Sequence, residues 1–288
     1  MNFTFKPLAK TLILIAVSTV YIFAIDNLKL TTQIEYFDFS NSEQKKNGKR
    51  YIIGASGKEN NHLFGVQYES TQTDTKQPPL PEDLEVDKYA FQYTYLWDNS
   101  LLIHGRYLHI KDNLAPTDEG DIFGIGVDYE LNQRYKYGLR TYVSDYPDFN
   151  VYQTDLTAMT RFKYNDLSIK IQGILKGIWL DNKNVTGFTK NAQNNYLTPG
   201  VKGHFSYQDY VGGIGLFFGK RVFSVMDDGK RVQHHAMEFD RTLMLGIGKN
   251  FNNTTVMLKY NYMRATELPY ENSNVTVNNT MLFLQYNF

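Results

Sequence analysis

Along most of the chain apolar and polar side chains alternate one by one, the period of an extended strand with one apolar face. Tyr89, Phe91, Tyr93, Tyr95 and Trp97 alternate with Ala90, Gln92, Thr94 and Leu96 up to a turn at Asp98-Asn99-Ser100. Phe123, Ile125, Val127, Tyr129 and Leu131 alternate with Gly124, Gly126, Asp128 and Glu130, and after Asn132-Gln133-Arg134 the pattern resumes with Tyr135, Tyr137, Leu139, Thr141 and Val143. Two such runs around a short polar turn predict a hairpin, and the same unit recurs at 152–175, 201–218 and 237–262. The pattern predicts strands at 28–39, 50–57, 62–71, 87–97, 101–110, 122–131, 135–144, 151–164, 167–179, 198–207, 210–224, 236–250, 254–265 and 277–288. Longer polar connections at 41–49, 71–85, 111–121, 145–150, 181–195, 226–235 and 267–276 alternate with the short turns.

Fourteen strands is an even count and puts both ends of the chain on the short-turn side. Composition then says where such strands belong. Tyr and Phe number 22 and 19, yet the mean hydropathy is −0.43. The two facts fit together if apolar residues occupy one face of many strands, as in a membrane barrel whose lipid-facing and lumen-facing residues alternate. An unpaired backbone group in hydrocarbon costs several kcal/mol, so the sheet must close, with the strand near Leu28 pairing with the one that ends at Phe288. The expected architecture is all-β, a transmembrane antiparallel β-barrel over 25–288, with twelve or sixteen strands as the neighbouring counts.

The first 24 residues have another pattern. Lys6 and Lys10 precede an apolar run from Leu12 to Phe23 and the small residue Ala24, the order of a secretory signal cleaved near Ala24. About fifteen apolar residues fall short of the roughly 20 that a spanning helix needs. Without this leader the 30 basic residues become 28 against 30 acidic, a net charge near −2, which argues against a nucleic-acid partner. There is no cysteine, so no disulfide holds the exported chain together.

At the far end, Leu282, Leu284, Tyr286 and Phe288 share one face of the last strand while Gln285 and Asn287 share the other. This ending resembles the C-terminal targeting signal of bacterial outer-membrane β-barrels. The resemblance is to a porin-like class and not to a particular family. It implies a bacterial outer-membrane location, short periplasmic turns, long extracellular loops, contact with membrane lipid and lipopolysaccharide, and reading of the last strand by the assembly machinery. Trp97, Tyr129, Tyr135, Tyr164, Tyr207, Tyr210, Phe251 and Phe288 then form the periplasmic aromatic girdle.

Some stretches break the pattern. Tyr36, Phe37 and Phe39 interrupt the alternation of the first strand, 51–57 reads as short and weak, Pro199 stands at a strand start, and Arg241 falls on the lipid side. Arg241 is expected near the outer headgroups, within reach of lipopolysaccharide phosphate.

Barrels of about eight strands fill with side chains, whereas those of roughly sixteen to eighteen leave an aqueous channel. Fourteen predicts a narrow one. The mature N-terminus enters the first strand within a few residues and leaves no plug domain; 71–85 or 181–195 are the loops long enough to fold inward. Inward positions include Lys136, Arg140, Arg161, Lys163, Lys170, Lys202 and His204, a basic wall interrupted by Asp155. Glu35, Glu69, Glu238 and Asp240 are expected across the barrel, and a transverse field between the walls would orient small hydrophilic solutes or ions. The expected function is therefore passive diffusion through a monomeric porin, without a cofactor.

Two alternatives stay open. Asp227 and Asp228 lie near His234 and His235 in one outer loop, an acid–base or metal set for an enzyme at the rim; His62, His104 and His109 are scattered over separate strands. An adhesin or structural barrel without an open pore is the other.

Overall fold

The computed structural model describes residues 26–98, 100–182, 187 and 189–288; the predicted leader lies outside them. The strands are β1 (Asp26–Ser40), β2 (Lys45–Glu59), β3 (His62–Thr75), β4 (Leu84–Leu96), β5 (Leu101–Asp112), β6 (Asp121–Leu131), β7 (Tyr135–Asp145), β8 (Asn150–Tyr164), β9 (Leu167–Asp181), β10 (Asn195–Tyr207), β11 (Tyr210–Arg221), β12 (Val225–Met226), β13 (Arg231–Val232), β14 (Met237–Phe251), β15 (Thr254–Glu267) and β16 (Asn272–Asn287). Among the described residues fourteen of these form one closed antiparallel barrel, and β12 and β13 form a separate hairpin.

Each barrel strand pairs with its neighbours in sequence order, with β11 against β14, and β1 meets β16 from Lys29↔Asn287 to Ser40↔Thr276. Closure leaves no open edge, the condition for a sheet in hydrocarbon. Hairpins at the short-turn end use asparagine or glutamine in place of glycine: Asn60, Asn132, Gln133, Asn165, Gln208 and Asn252 all have φ near +50°. Asparagine tolerates that left-handed conformation better than bulkier residues do.

The outward face is apolar. Ile125 is 73% exposed and Tyr164 77%, and Leu282, Tyr286 and Phe288 also face out. The eight expected girdle aromatics are all exposed near the short turns.

The irregular stretches have physical explanations. β2 is a full 15-residue strand, not a short one; Gly48, Gly54 and Gly57 dilute its pattern. Tyr36 faces out, while Phe37 and Phe39 face in and join Met237, Phe239, Ala265, Val275 and Val277 in a buried cluster. Pro199 is the fifth residue of β10, just beyond the ladder with β11, which begins at Gly200↔Phe217. Arg241 is on the exposed outer face, opposite Arg264 on β15.

The loop connections are shorter than expected, because the strands run further toward them. One connection differs from all others. β11 ends at Arg221, and the chain dives into the barrel through 222–236 before rejoining the wall at Met237. The loop seen inside the lumen is thus 222–236 and not 71–85; of 181–195, residues 183–186 and 188 lie outside the described residues, and Ala192 joins the same buried cluster as the inserted loop.

Candidate functional site

The interior of the barrel changes character with depth. On β1, β4, β5, β9 and β16, successive inward positions toward the loop end are apolar pairs: Phe37 and Phe39, Val86 and Leu84, Leu108 and Ile110, Ile178 and Leu180, Val277 and Val275. One inward step toward the short-turn end, the same strands carry Glu35, Lys88, Arg106, Lys176 and Asn279. The inserted loop matches both layers.

Its flanks are apolar and pack in the upper layer. Val222, Phe223, Val225 and Val232 are buried in one cluster with Leu84, Val86, Leu108, Ile110, Ile122, Phe149, Val151, Ile178 and Leu180. At about 25 cal/mol per Å² of apolar surface removed from water, this contact holds the loop inside. Gln153 fixes the descending arm through both backbone groups of Val225: its Oε1 accepts from Val225 N at 2.8 Å and its Nε2 donates to Val225 O at 2.9 Å. Lys176 donates to the same carbonyl at 3.0 Å and pairs with Asp155 at 2.5 Å.

Below lies a buried charge network. Glu35 and Glu69 are 0% and 1% exposed. Arg50 donates to Glu35 at 2.8 Å and pairs with Glu69 at 3.0 Å. Lys88 donates to Glu69 at 2.8 Å. From the loop, Arg231 approaches Glu35 at 3.2 Å and Glu69 at 3.7 Å. Asn279 on β16 donates to Glu35 at 3.1 Å. Buried carboxylates persist only when neutralised and hydrogen-bonded; Arg50 and Lys88 from the wall and Arg231 from the loop share that role.

The ascending arm is held by histidine. His234 Nδ1 lies 2.8 Å from Lys88 Nζ, where the neutral ring accepts, and its ring centre lies 4.0 Å from that of His235, the two planes tilted by 45°. Burial first, then Lys88 for His234 and the neighbouring His234 and Lys45 for His235, pushes both imidazoles well below the usual histidine range. His234 Nε2 and His235 Nδ1 have no hydrogen-bond partner.

The tip, Asp227-Asp228-Gly229, turns through three residues with φ of 49°, 57° and 90°. A side chain on Gly229 would also run into Arg106. The backbone is gripped from the wall: Asp228 O accepts from Arg106 at 2.9 Å and Gln92 at 3.1 Å, and Lys230 O from Gln67 at 3.1 Å. Asp227 pairs with Lys202 at 3.5 Å, and Asp228 with Arg140 at 3.6 Å. Burial opposes the charge of Asp227, but Lys202, Arg231, Lys259 and Lys230 hold its carboxyl down to about 2. Between the tip and the short-turn end lies a cavity of about 410 Å³, lined by Lys202, His204, Arg231, Lys259, Met244, Met281 and Phe283 among others.

No protein-family model and no curated protein matches the sequence. Solved structures do match. A bacterial polysaccharide outer membrane secretin aligns with a TM-score of 0.55 at 11% identity, covering 91% of this chain and 98% of that one. A Pseudomonas aeruginosa FadL homologue gives 0.56 at 9% identity over 91% and 90%, and Acinetobacter baumannii Omp33 gives 0.50 at 10% over 92% and 99%. The chain has the fold of an outer-membrane β-barrel.

Within this barrel the residues singled out from sequence divide into groups. Lys136 and Arg140 are both bound at 2.9 Å by Asp128, an inward carboxylate on β6 that His104 also meets at 3.1 Å. Arg161, Lys170 and His204 stand opposite one another across β8, β9 and β10. With Lys163 they form no ion pair among the described residues. Glu35 and Glu69 sit together in the seat of the loop, not in an open wall. Glu238 lies at the loop end of β14, accepting from Tyr196 at 2.9 Å and pairing with Lys220 at 2.5 Å, and Asp240 pairs with Arg264 at 3.6 Å. Two walls of opposite charge are thus not the arrangement.

Asp227, Asp228, His234 and His235 are inside the lumen and not at an exposed rim. They do not meet: the carboxylates face Lys202 and Arg140, the imidazoles face Lys88 and each other. Sequence reasoning missed Arg50, Lys88, Asp128, Gln153, Lys176 and Arg231. The available signal was the run Val222-Phe223-Ser224-Val225, an apolar stretch in a predicted strand end that has no lipid to face.

Proposed function

We propose that this chain is a channel of the bacterial outer membrane for small hydrophilic solutes or ions, held shut by loop 222–236. In this reading the leader is cleaved near Ala24, the strand ending at Phe288 is read by the assembly machinery, and the barrel acts as a monomer without catalysis.

One observation carries the reading. The loop is separable from the wall: it crosses the lumen without adding a strand to the barrel, and its tip is held by ion pairs and side-chain contacts to carbonyls above a cavity. Such contacts exchange for water at modest net free energy, roughly 0.5–1.5 kcal/mol each. A barrel built only to be solid needs no cavity below its filling.

The test is single-channel conductance of the refolded mature protein in a planar bilayer, beside a variant in which 223–235 is replaced by a short turn. The native protein should show rare openings and the variant steady ones, with salt gradients reading the selectivity. Silence from both proteins would reject the channel and favour a structural or adhesive barrel.

A further inference from the structure

We infer that the cavity beneath the loop binds small organic anions with an apolar body, and that the Asp227 carboxylate sits among its cations as a tethered stand-in for the ligand's own anionic group. This deepens the channel reading by naming a solute class and a release mechanism; its transport role rests on that reading, while the binding step does not.

The cavity lining interleaves two chemistries. Lys202, Lys259 and His204 from the wall and Lys230 and Arg231 from the loop are basic. Met244, Met257, Met281 and Phe283 stand among them: Met281 is opposite Lys259 in the β15–β16 ladder, and Lys259 Nζ is only 4.2 Å from the Phe283 ring centre. Thioethers adapt to varied apolar shapes, so they accept an apolar body beside the charges without fixing its outline.

The charges do not balance. Among the described residues that line the cavity, Asp227 is the one carboxylate against four permanent cations. Arg231 is already committed to Glu35 and Glu69. Lys259 makes no ion pair among the described residues, and His204 has Lys170, Lys202 and Lys259 around it. A surplus of cations in a partly desolvated recess favours an anion from solution.

Asp227 is held loosely. It lies 3.5 Å from Lys202 and 3.8 Å from Arg231, whereas Glu35 lies 2.8 Å from Arg50. Charge-assisted hydrogen bonds close to about 2.7–2.9 Å, so a freely placed carboxylate can approach these cations better than the tethered one does. Its arrival removes one anchor of the tip. The ligand that binds thereby loosens the loop that blocks it.

The absence of cysteine makes the test clean. Full-length refolded protein in a zwitterionic detergent is titrated calorimetrically with sodium benzoate, with benzamide as the neutral match and inorganic phosphate as the anion without an apolar body. Benzoate should bind, benzamide should not, and phosphate should bind about tenfold more weakly. Lys202→Met with Lys259→Met should weaken benzoate about tenfold, and Asp227→Asn should tighten it.

Val225, buried in the closed loop, reports release: Val225→Cys should react with a hydrophilic maleimide several-fold faster when benzoate is present. That response should vanish in the Asp227→Asn background. Equal binding of benzamide, or unchanged binding in the lysine double variant, overturns the site. Benzoate binding without faster labelling overturns the stand-in role of Asp227. Ion current without benzoate binding would sink this inference and leave the channel standing; benzoate binding by a barrel that never conducts would do the reverse.

Discussion

The two halves of the lumen differ as a protein core differs from a channel. Toward the loop end, inward side chains of β4, β5, β8 and β9 are aliphatic and close over Phe223 with little room for water. Toward the short-turn end, the same strands carry polar inward residues: Gln92 and Arg106 grip the tip of the loop, and Arg161 and Lys170 lie beyond it without an ion pair among the described residues. The comparison shows that one wall can serve two solvents. Outside, the apolar face meets lipid along its whole height; inside, polarity is set locally by whether the loop is there.

If the upper half is a core, damaging it should have the largest effect. Phe223→Ala removes a fully buried ring, and such truncations cost about 3–5 kcal/mol in a core that does not collapse. That cost falls on the seating of the loop and not on barrel closure. The expected result is frequent channel opening with an unchanged unfolding temperature of the barrel on gels; a lowered barrel temperature instead would make the loop an integral part of the wall.

The boundary layer comes next. Glu69→Gln leaves Lys88 without a carboxylate partner and Arg50 and Arg231 with Glu35 and the more distant Asp227, and loss of one partner from a buried network costs about 3–5 kcal/mol, less whatever water recovers as the loop lifts. Openings should become longer as well as more frequent. Unaltered gating would place the hold of the loop entirely in its apolar flanks.

Acid should act at the same layer, more weakly. His234 and His235 are less basic in the seated loop than in a freed one, so the freed loop binds more protons. Their contribution is fully present above the ordinary histidine value of about 6.5 and is lost progressively below it. Opening should therefore rise as pH falls below about 6, and His234→Gln with His235→Leu should flatten that dependence. Closure on acidification would contradict it.

The smallest effect is expected from the lower half. Lys170→Glu changes a charge in the open region, away from every contact of the loop, so it should move the reversal potential in a salt gradient toward cations without altering open time. A gating change would show that the halves are not independent.

How much of this is legible in sequence depends on which neighbour a residue answers to. Outward positions answer to lipid, which is the same everywhere, so Phe123, Ile125, Val127 and Tyr129 state their orientation one by one, and the strand count and closure follow. The terminal strand is equally plain, because Leu282, Leu284 and Tyr286 keep the period to the end. Inward positions answer to whatever fills the barrel. Phe37 and Phe39 looked like a fault in the alternation because their partners Met237 and Phe239 are some two hundred residues away in the chain. Glu35 and Glu69 are correctly inward, but nothing local says that Arg231 will reach them from a loop. The polar tip concealed the apolar flanks: Asp227 and Asp228 suggest an outer loop, and inside the barrel they meet Lys202 and Arg140 of the wall.

Glu35 has a further consequence for the order of assembly. Its carboxylate receives Asn279 from β16, Arg50 from β2 and Arg231 from the loop, so its full set of partners exists only after the first strand has met the last. An unfinished sheet, still open between these two strands, lacks half the latch. The barrier is thereby locked by the same event that completes the cylinder, and a molecule that never finishes cannot be mistaken, by its own interior, for one that has.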